Sequence, residues 1–243
     1  MTAPSFSRRR ASLLGLGAMA AGLVGFPLQP LRARTLYRPE APATLTRRLS
    51  RGLRDGNAIV VTRAWKVTFE EQARGIAIAG EQIAVSVEAP SPLEPLARIE
   101  EQRSTQGMFP ILLGPDGTIM AAGQNTSRSS FDAAVETAQS LLQRSGFGED
   151  SVEQQGAYMA RLQKAGSSLL DQLPGDLFYP STQPFRDTQA VALPDGTQGA
   201  FEVTWMASVK DGTRLLETAR REVITRIGET ERRSSEEWAL AVP

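Results

Sequence analysis

The segment from Gly199 to Val209 constrains the fold more than any other part of the sequence. Its apolar residues alternate with mostly polar ones, which is the period of a β-strand with one buried face. The alternating apolar residues are Phe201, Val203, Trp205, Ala207 and Val209. Pro194-Asp195-Gly196 precedes this segment and Asp211-Gly212 follows it, and Asp-Gly pairs supply the positive φ angles of tight hairpin turns. The pattern predicts a central strand with a partner on each side.

Strand signals recur on both sides of the middle of the chain. They cover 45–53, 59–69, 75–87, a hairpin of 109–113 and 118–122, and then 185–193, 213–227 and 234–242. Residues 45–53 and 213–222 also fit one face of a helix. We prefer strand because a hairpin turn follows the first of them and because the later half of 213–227 is mostly β-branched. In 75–87 the apolar register shifts, which predicts a bulge or kink near Gly80.

Helix signals lie between these two groups of strands. Ser91-Pro92-Leu93-Glu94 is typical of a capped helix start, and this helix should run to about Ser104. Two further helices are predicted within 129–173, the first ending near Gly146 and the second at Pro174-Gly175. The predicted fold class is therefore α+β, with antiparallel sheet from the N- and C-terminal halves packed against a central group of about three helices.

The first 33 residues have the layout of an export signal. The basic stretch Ser7–Arg10 precedes an uncharged run, Ala11–Phe26, and the small residue Ala33 stands near the expected cleavage point. The run is too short and too rich in glycine for a comfortable membrane span. We expect residues 34–43 to form a linker and residues 44–243 to form the α+β domain, with no stable membrane span once the signal is removed.

The beginning of this leader resembles a twin-arginine signal peptide. The resemblance rests on Ser7-Arg8-Arg9-Arg10 with Leu13-Leu14 behind it, and it covers the leader alone. The phenylalanine often found after the arginine pair is missing, since Ala11 and Ser12 stand there. The resemblance implies a bacterial protein of the periplasm or the cell exterior. An uncleaved N-terminal anchor is the alternative.

Histidine and cysteine are absent from the 243-residue chain. Their absence excludes thiolate nucleophiles, imidazole bases, Ser-His-Asp triads, haem and iron–sulfur ligation, and the usual zinc and copper sites. The Asp-Gly pairs are assigned to hairpin turns, because no segment has the alternating oxygen ligands and terminal glutamate of an EF-hand loop. We therefore expect no cofactor and no metal site.

The charge of the chain is divided unevenly. The first 34 residues hold five arginines and no acid, which leaves 22 basic and 27 acidic residues in the rest. A mildly acidic mature chain without a basic stripe is not expected to bind nucleic acid or an anionic lipid surface.

Two segments of the chain share a pattern that suggests an internal repeat. Leu53-Arg54-Asp55-Gly56 begins twelve residues before Trp65, and Leu193-Pro194-Asp195-Gly196 begins twelve residues before Trp205. Duplication of a β-hairpin would give two related lobes, 44–122 and 185–243, joined by the helices of 129–173. The alternative is coincidence, because Asp-Gly turns and strand tryptophans are each common.

No residue of the sequence is assigned a catalytic role. Trp65, Trp205 and Trp238 are most economically core residues of the sheet, and ligand stacking is the alternative for each. Glu236-Glu237 precedes Trp238, and adjacent strand residues point to opposite faces, so at most one of these carboxylates could enter a given cleft. A solvated charge is preferred for Glu237. The candidate ligand-binding residues are thus Trp65, Trp205, Trp238 and Glu237.

The composition and the leader favour an exported, soluble, non-enzymatic envelope protein, which would serve as a binding, carrier or accessory module. Its partner would be an unknown envelope protein or an apolar or small ligand. The alternative is a carboxylate-dependent hydrolase that acts on envelope polysaccharide. An empty apolar cavity would favour a carrier, two facing glutamates in a cleft would favour the hydrolase, and a filled core would favour an interaction module.

Overall fold

Nine antiparallel strands form one sheet in the residues that the structure, a computed structural model, describes: 36–53, 56–73, 75–123, 159–160, 170–192 and 198–243. The strands are β1 (Ala43–Gly52), β2 (Ala58–Gln72), β3 (Gly75–Glu88), β4 (Ile111–Leu113), β5 (Ile119–Ala122), β6 (Phe185–Ala192), β7 (Gln198–Val209), β8 (Leu216–Ile227) and β9 (Thr230–Ala241). Their order across the sheet is β5-β4-β3-β2-β1-β9-β8-β7-β6. The pairing of β1 with β9 therefore joins the N-terminal and C-terminal halves.

The predicted α+β class with about three helices is wrong. Strands make up 58% of the described residues and helical residues 12%. The described ranges hold one α-helix of more than a turn, α1 (Glu94–Gln102), with 3₁₀ turns at Ser91–Leu93 and Gln106–Met108. The strands are long, with 15 residues in β2 and 14 in β3, so the sheet and not a group of helices dominates the described residues. Most of the helical middle predicted for 129–173 lies outside the described residues.

The strand predictions on the N-terminal side are confirmed. The ambiguous segment 45–53 is a strand and not a helix, since β1 includes its residues up to Gly52. In β2 the predicted register is correct, since Trp65, Val67 and Phe69 are all buried on one face of the sheet. Strand pairing places Trp65, Trp205 and Trp238 on this same face, which we call the inner face; the opposite one is the outer face.

The predicted irregularity in the third strand is confirmed as a β-bulge. Ala84 pairs with Ala64 while Gln82 pairs with Trp65, so Ile83 is the extra residue of β3. The extra residue reverses the facing of the strand and accounts for the shift in apolar register. Gly80 has a different role, because a Cβ atom at that position would overlap the ring of Phe109.

The start of α1 differs from the prediction. The helix ends at Gln102, close to the expected end at Ser104, but its first turn is 3₁₀ and no side chain caps it. Ser91 lies inside this turn and not before it, so its hydroxyl is not in the capping position. The predicted hairpin that follows is confirmed as β4 and β5.

The C-terminal half is built from long strands, as the alternation predicts. β7 has a partner on each side, β6 and β8, although it lies second from the edge of the sheet and not at its centre. The ambiguous segment 213–227 is a strand from Leu216 onward. Trp238 and Leu240 are both buried on one face of β9, as expected.

The predictions on domain organisation fall partly outside the described residues. The strands of the proposed repeat, β2 with Trp65 and β7 with Trp205, belong to the same sheet. A duplicated hairpin would allow such a single-sheet arrangement. The turn residues 193–197 and the leader 1–33 are not among the described residues. Duplication and the signal peptide therefore stay predictions.

Aromatic side chains form the centre of the inner-face core. The rings of Trp65 and Trp238 stack with centroids 6.3 Å apart, and Phe69 meets Phe178 edge to face at 5.8 Å. Residues 177–179 cross this face and are buried, and the Tyr179 hydroxyl donates to the Tyr37 carbonyl at 2.6 Å. Burial raises the pKa of Tyr179 to about 12, so the phenol is neutral and keeps this hydrogen bond at physiological pH. The bond ties the start of the described chain to the core.

Truncation of Trp205 should distinguish the two faces of β7. Trp205 is buried on the inner face and Thr204 points to the outer face. We expect Trp205→Ala to lower the free energy of unfolding by roughly 3–5 kcal/mol, because it leaves a large cavity, and Thr204→Ala to lower it by less than about 1 kcal/mol. Denaturant melts of both variants provide the comparison. A nearly neutral Trp205→Ala would show that this face is open to solvent.

Candidate binding cleft

A cleft of about 1300 Å³ lies against the part of the inner face that β1, β2 and β3 form. These three strands contribute five apolar residues to its lining, Leu49, Ile59, Val61, Trp65 and Val87. Residues of α1, of β5 and of the segment 171–175 line it as well. The sheet therefore supplies an apolar floor, and elements from three other parts of the chain surround it.

Three large apolar side chains in this cleft are exposed. Leu96 is 55% exposed, Ile99 66% and Met120 65%, and all three belong to the lining. In α1 only Ala97 is buried, so the helix turns its apolar residues toward the cleft and not into the core. Large apolar side chains left in water within one concavity are typical of a site that a ligand covers.

Arg63 fastens α1 to the sheet beside this cleft. Its guanidinium is almost fully buried and donates to the Glu100 carbonyl at 2.6 Å, to the Arg103 carbonyl at 3.2 Å and to Gln82 Oε1 at 2.9 Å. It also pairs with Glu100 Oε1 at 3.1 Å. A cation at this place adds a donor to carbonyls at the helix end and offsets its partial negative charge. The position of α1 over the sheet thus depends on one buried charge.

Trp65 belongs to the same polar network. Its indole Nε1 donates to Thr105 Oγ1 at 3.0 Å, and Thr105 donates to Gln82 Oε1 at 2.7 Å. The ring lines the cleft but is only 1% exposed, because Trp238 stacks on it. This geometry supports the core role of Trp65 and leaves little of the ring for stacking with a ligand.

A buried ion cluster lies on the inner face where β1, β9 and β8 are neighbours. Glu236 is completely buried and Oε2 accepts from Arg47 Nη2 at 2.7 Å and from Arg47 Nε at 3.0 Å. Its other oxygen pairs with Arg221. Burial lowers the pKa of Arg221, and the nearby charge of Glu236 opposes that shift. Arg47 also covers the Trp238 ring, with its guanidinium carbon 5.0 Å from the ring centroid.

The arginines of this region hold one wall of the cleft. Arg47 donates to the Leu170 carbonyl, Arg221 donates to the Gln172 carbonyl at 2.7 Å, and Arg51 pairs with Asp171 at 2.5 Å. Three consecutive residues are therefore each bound by a different arginine. These contacts place Asp171 and Gln172 at the edge of the apolar floor.

The outer face carries charge pairs in place of an apolar site. Glu202 pairs with Arg226 at 2.9 Å and with Arg186 at 3.0 Å, and the hydrogen bond from Arg226 holds the pKa of this carboxyl below its usual value. Glu237 lies on this face, with Arg220 at 3.0 Å. It therefore points away from the cleft.

The four candidate ligand residues have different positions. Trp65 lines the cleft, whereas Trp205, Trp238 and Glu237 are not among its lining residues. The residues that sequence reasoning missed are the arginines in the apolar registers of their strands. Arg47 lies between Leu45 and Leu49 on the inner face, and Arg63 lies between Val61 and Trp65. A charged residue in an otherwise apolar register is the signal that could have identified them.

Comparison with known proteins gives no family, since no family model matches the chain and no curated protein is significantly similar to it. Within the described ranges, no helix is long and apolar enough to cross a membrane. The described residues also contain no group of three or more acidic side chains placed to hold a metal ion. Function must therefore be argued from the cleft itself.

Neutralising Glu236 should destabilise the fold. Glu236→Gln removes the charge that compensates two largely buried arginines, and we expect a loss of roughly 3–5 kcal/mol in the free energy of unfolding. The control is Glu237→Gln, the adjacent residue on the exposed face, which should cost less than about 1 kcal/mol. Chemical denaturation monitored by tryptophan fluorescence compares the two. Equal losses would contradict the structural role of the buried cluster.

Proposed function

We propose that this protein is an exported, non-enzymatic binding protein of the bacterial envelope that holds an apolar small molecule in the cleft. The observation that carries the proposal is the exposure of Leu96, Ile99 and Met120 to the same cavity. A ligand that covered these side chains would remove their apolar surface from water, which contributes about 25 cal/mol for each Å² buried.

The size of the cleft supports a ligand with a long apolar part. Small-molecule sites usually have volumes of roughly 300–1,000 Å³. At about 1300 Å³ this cleft exceeds that range. Its floor consists mainly of apolar strand residues, and the carboxylates that also line the cleft, Glu100, Asp116 and Asp171, each have a partner within the protein. An extended hydrocarbon fits this floor better than a sugar does, because a sugar hydroxyl lying on apolar side chains would have no hydrogen-bond partner there.

The carboxylates of the cleft do not favour the alternative hydrolase. Glu100 is paired with Arg63 and Asp171 with Arg51. Asp116 Oδ1 accepts from both the backbone N–H and the hydroxyl of Thr118, at 3.1 and 2.7 Å. A glycosidase needs two carboxylates that face each other across the substrate, and each of these carboxylates is engaged by another group of the protein. Binding without chemistry is therefore the better-supported function.

The export part of the proposal rests on the leader. An apolar molecule needs a carrier in the aqueous envelope, so the leader and the cleft are consistent with each other. We expect the mature protein from its native host to begin near Arg34, outside the cytoplasm. Intact-mass measurement of fractionated cells tests this expectation. A full-length chain in the cytoplasm would contradict export while leaving the binding proposal intact.

Binding can be measured with the neutral apolar fluorophore N-phenyl-1-naphthylamine. We expect a saturable rise in fluorescence with the purified protein. Met120→Glu should weaken binding by about tenfold or more, because the new carboxylate would lose water when the probe binds. The matched control is Met206→Glu, since Met206 is 54% exposed on the outer face. Absence of saturable binding, or equal weakening by both substitutions, would overturn the proposal.

A further inference from the structure

We infer that the ligand of this cleft is an anionic amphiphile, whose apolar chain covers Leu96, Ile99 and Met120 and whose acidic head pairs with Arg103. This inference rests on the proposed function and names its ligand class. It concerns a single molecule enclosed by the protein, and so it does not require the basic surface that binding to a membrane would need.

The charges of the lining differ in how firmly they are held. Four arginines line the cleft, Arg47, Arg51, Arg63 and Arg103. Arg47 is bound to Glu236 and to the Leu170 carbonyl, and Arg63 has two carbonyls and two side chains as partners. Arg51 forms a short ion pair with Asp171, 2.5 Å, although both side chains are partly exposed. All three arginines are thus bound at shorter distances than Arg103 is.

Arg103 is the arginine available to a ligand. Its side chain is 70% exposed, and the contact found for its guanidinium among the described residues is a long ion pair, 3.6 Å from Glu100 Oε2. The other oxygen of Glu100 is already paired with the buried Arg63 at 3.1 Å. A ligand anion can therefore pair with Arg103 while Arg63 still compensates the charge of Glu100. An exposed ion pair of this kind contributes little, at most about 1 kcal/mol, so its exchange costs little.

The order of residues along α1 places the charge at the end of the apolar surface. Leu96 and Ile99 lie three residues apart on one side of α1, and Arg103 follows directly after the end of the helix; all three line the cleft. The end of a helix normally repels an anion. Here Arg63 binds the Glu100 and Arg103 carbonyls and offsets that partial charge. The apolar stripe and the cation thus match a molecule with a hydrocarbon chain and an acidic head.

The test compares dodecanoate, dodecyl phosphate and dodecan-1-ol, which share one chain and differ in the head. Competition with N-phenyl-1-naphthylamine gives the affinity of each. The unmodified protein should bind the better of the two anions about tenfold more tightly than the alcohol, as one charge-assisted hydrogen bond predicts. Which anion binds better distinguishes a carboxylate from a phosphate head. Added salt should weaken the binding of the two anions and leave the binding of the alcohol unchanged.

Arg103, the residue directly after α1, and Arg98 within that helix provide matched variants. Arg103→Gln should abolish the preference for the anion and leave the affinity for dodecan-1-ol unchanged. Arg98→Gln should keep the preference, since Arg98 is 71% exposed, pairs with Glu94 and is not part of the cleft lining. Equal affinities for anion and alcohol, or the same effect of both substitutions, would overturn this inference while the proposed function stands. Failure of all three compounds and of the fluorophore to bind would overturn both.

Discussion

The ion pairs of the buried Glu236 carboxylate are the interaction on which the rest of the structure depends. Glu236 lies on β9, between Leu49 of β1 and Arg221 of β8, at the place where the N- and C-terminal halves of the sheet meet. The guanidinium groups of Arg47 and Arg221 compensate it, and the loss of a partner would leave a fully buried charge less compensated, which is far more costly than keeping the pair. The same two guanidinium groups bind the backbone of residues 170–172. One carboxylate therefore connects the junction of the sheet to a wall of the cleft.

The alternation of apolar residues was sufficient to predict most of the sheet. It identified β2, β3, β7 and β9 and the shift in register of β3, since burial of one face imposes a period of two whatever the neighbouring strands are. The assignment of β1 and β8 also needed the hairpin turn after the first and the β-branched residues of the second. Strand order could not be predicted in this way. The adjacency of β1 and β9 depends on contacts between opposite ends of the chain, and the relevant side chains, Arg47 and Glu236, belong to residue types that usually remain solvated.

The candidate site was harder to predict than the fold. Leu96 and Ile99 have the spacing of a helix that buries an apolar stripe, and nothing in that spacing shows that the stripe is left open. Exposure depends on what lies opposite a side chain, and that is set by the position of α1 on Arg63. Trp65 and Trp238 are large aromatic residues and so were candidates for ligand stacking, yet they stack on each other and both rings are buried. A charged residue in an apolar register was the more informative signal.

The two arginines of the inner face also explain why the cleft ends where it does. Arg47 and Arg63 are directly opposite each other on β1 and β2. On one side of this pair, Leu45, Val67 and Phe69 are buried in the aromatic core; on the other, Leu49, Val61 and Ile59 line the cleft. Like charges opposite each other on adjacent strands repel, so each needs its own carboxylate, Glu236 for Arg47 and Glu100 for Arg63. Those two carboxylates come from β9 and α1, and Glu100 keeps the helix at the edge of the cleft.

Apolar residues in place of Arg47 and Arg63 would have allowed the core to extend along the whole of β1 and β2. The two arginines interrupt the apolar register, and the part of the sheet beyond them stays open as the surface available to a ligand.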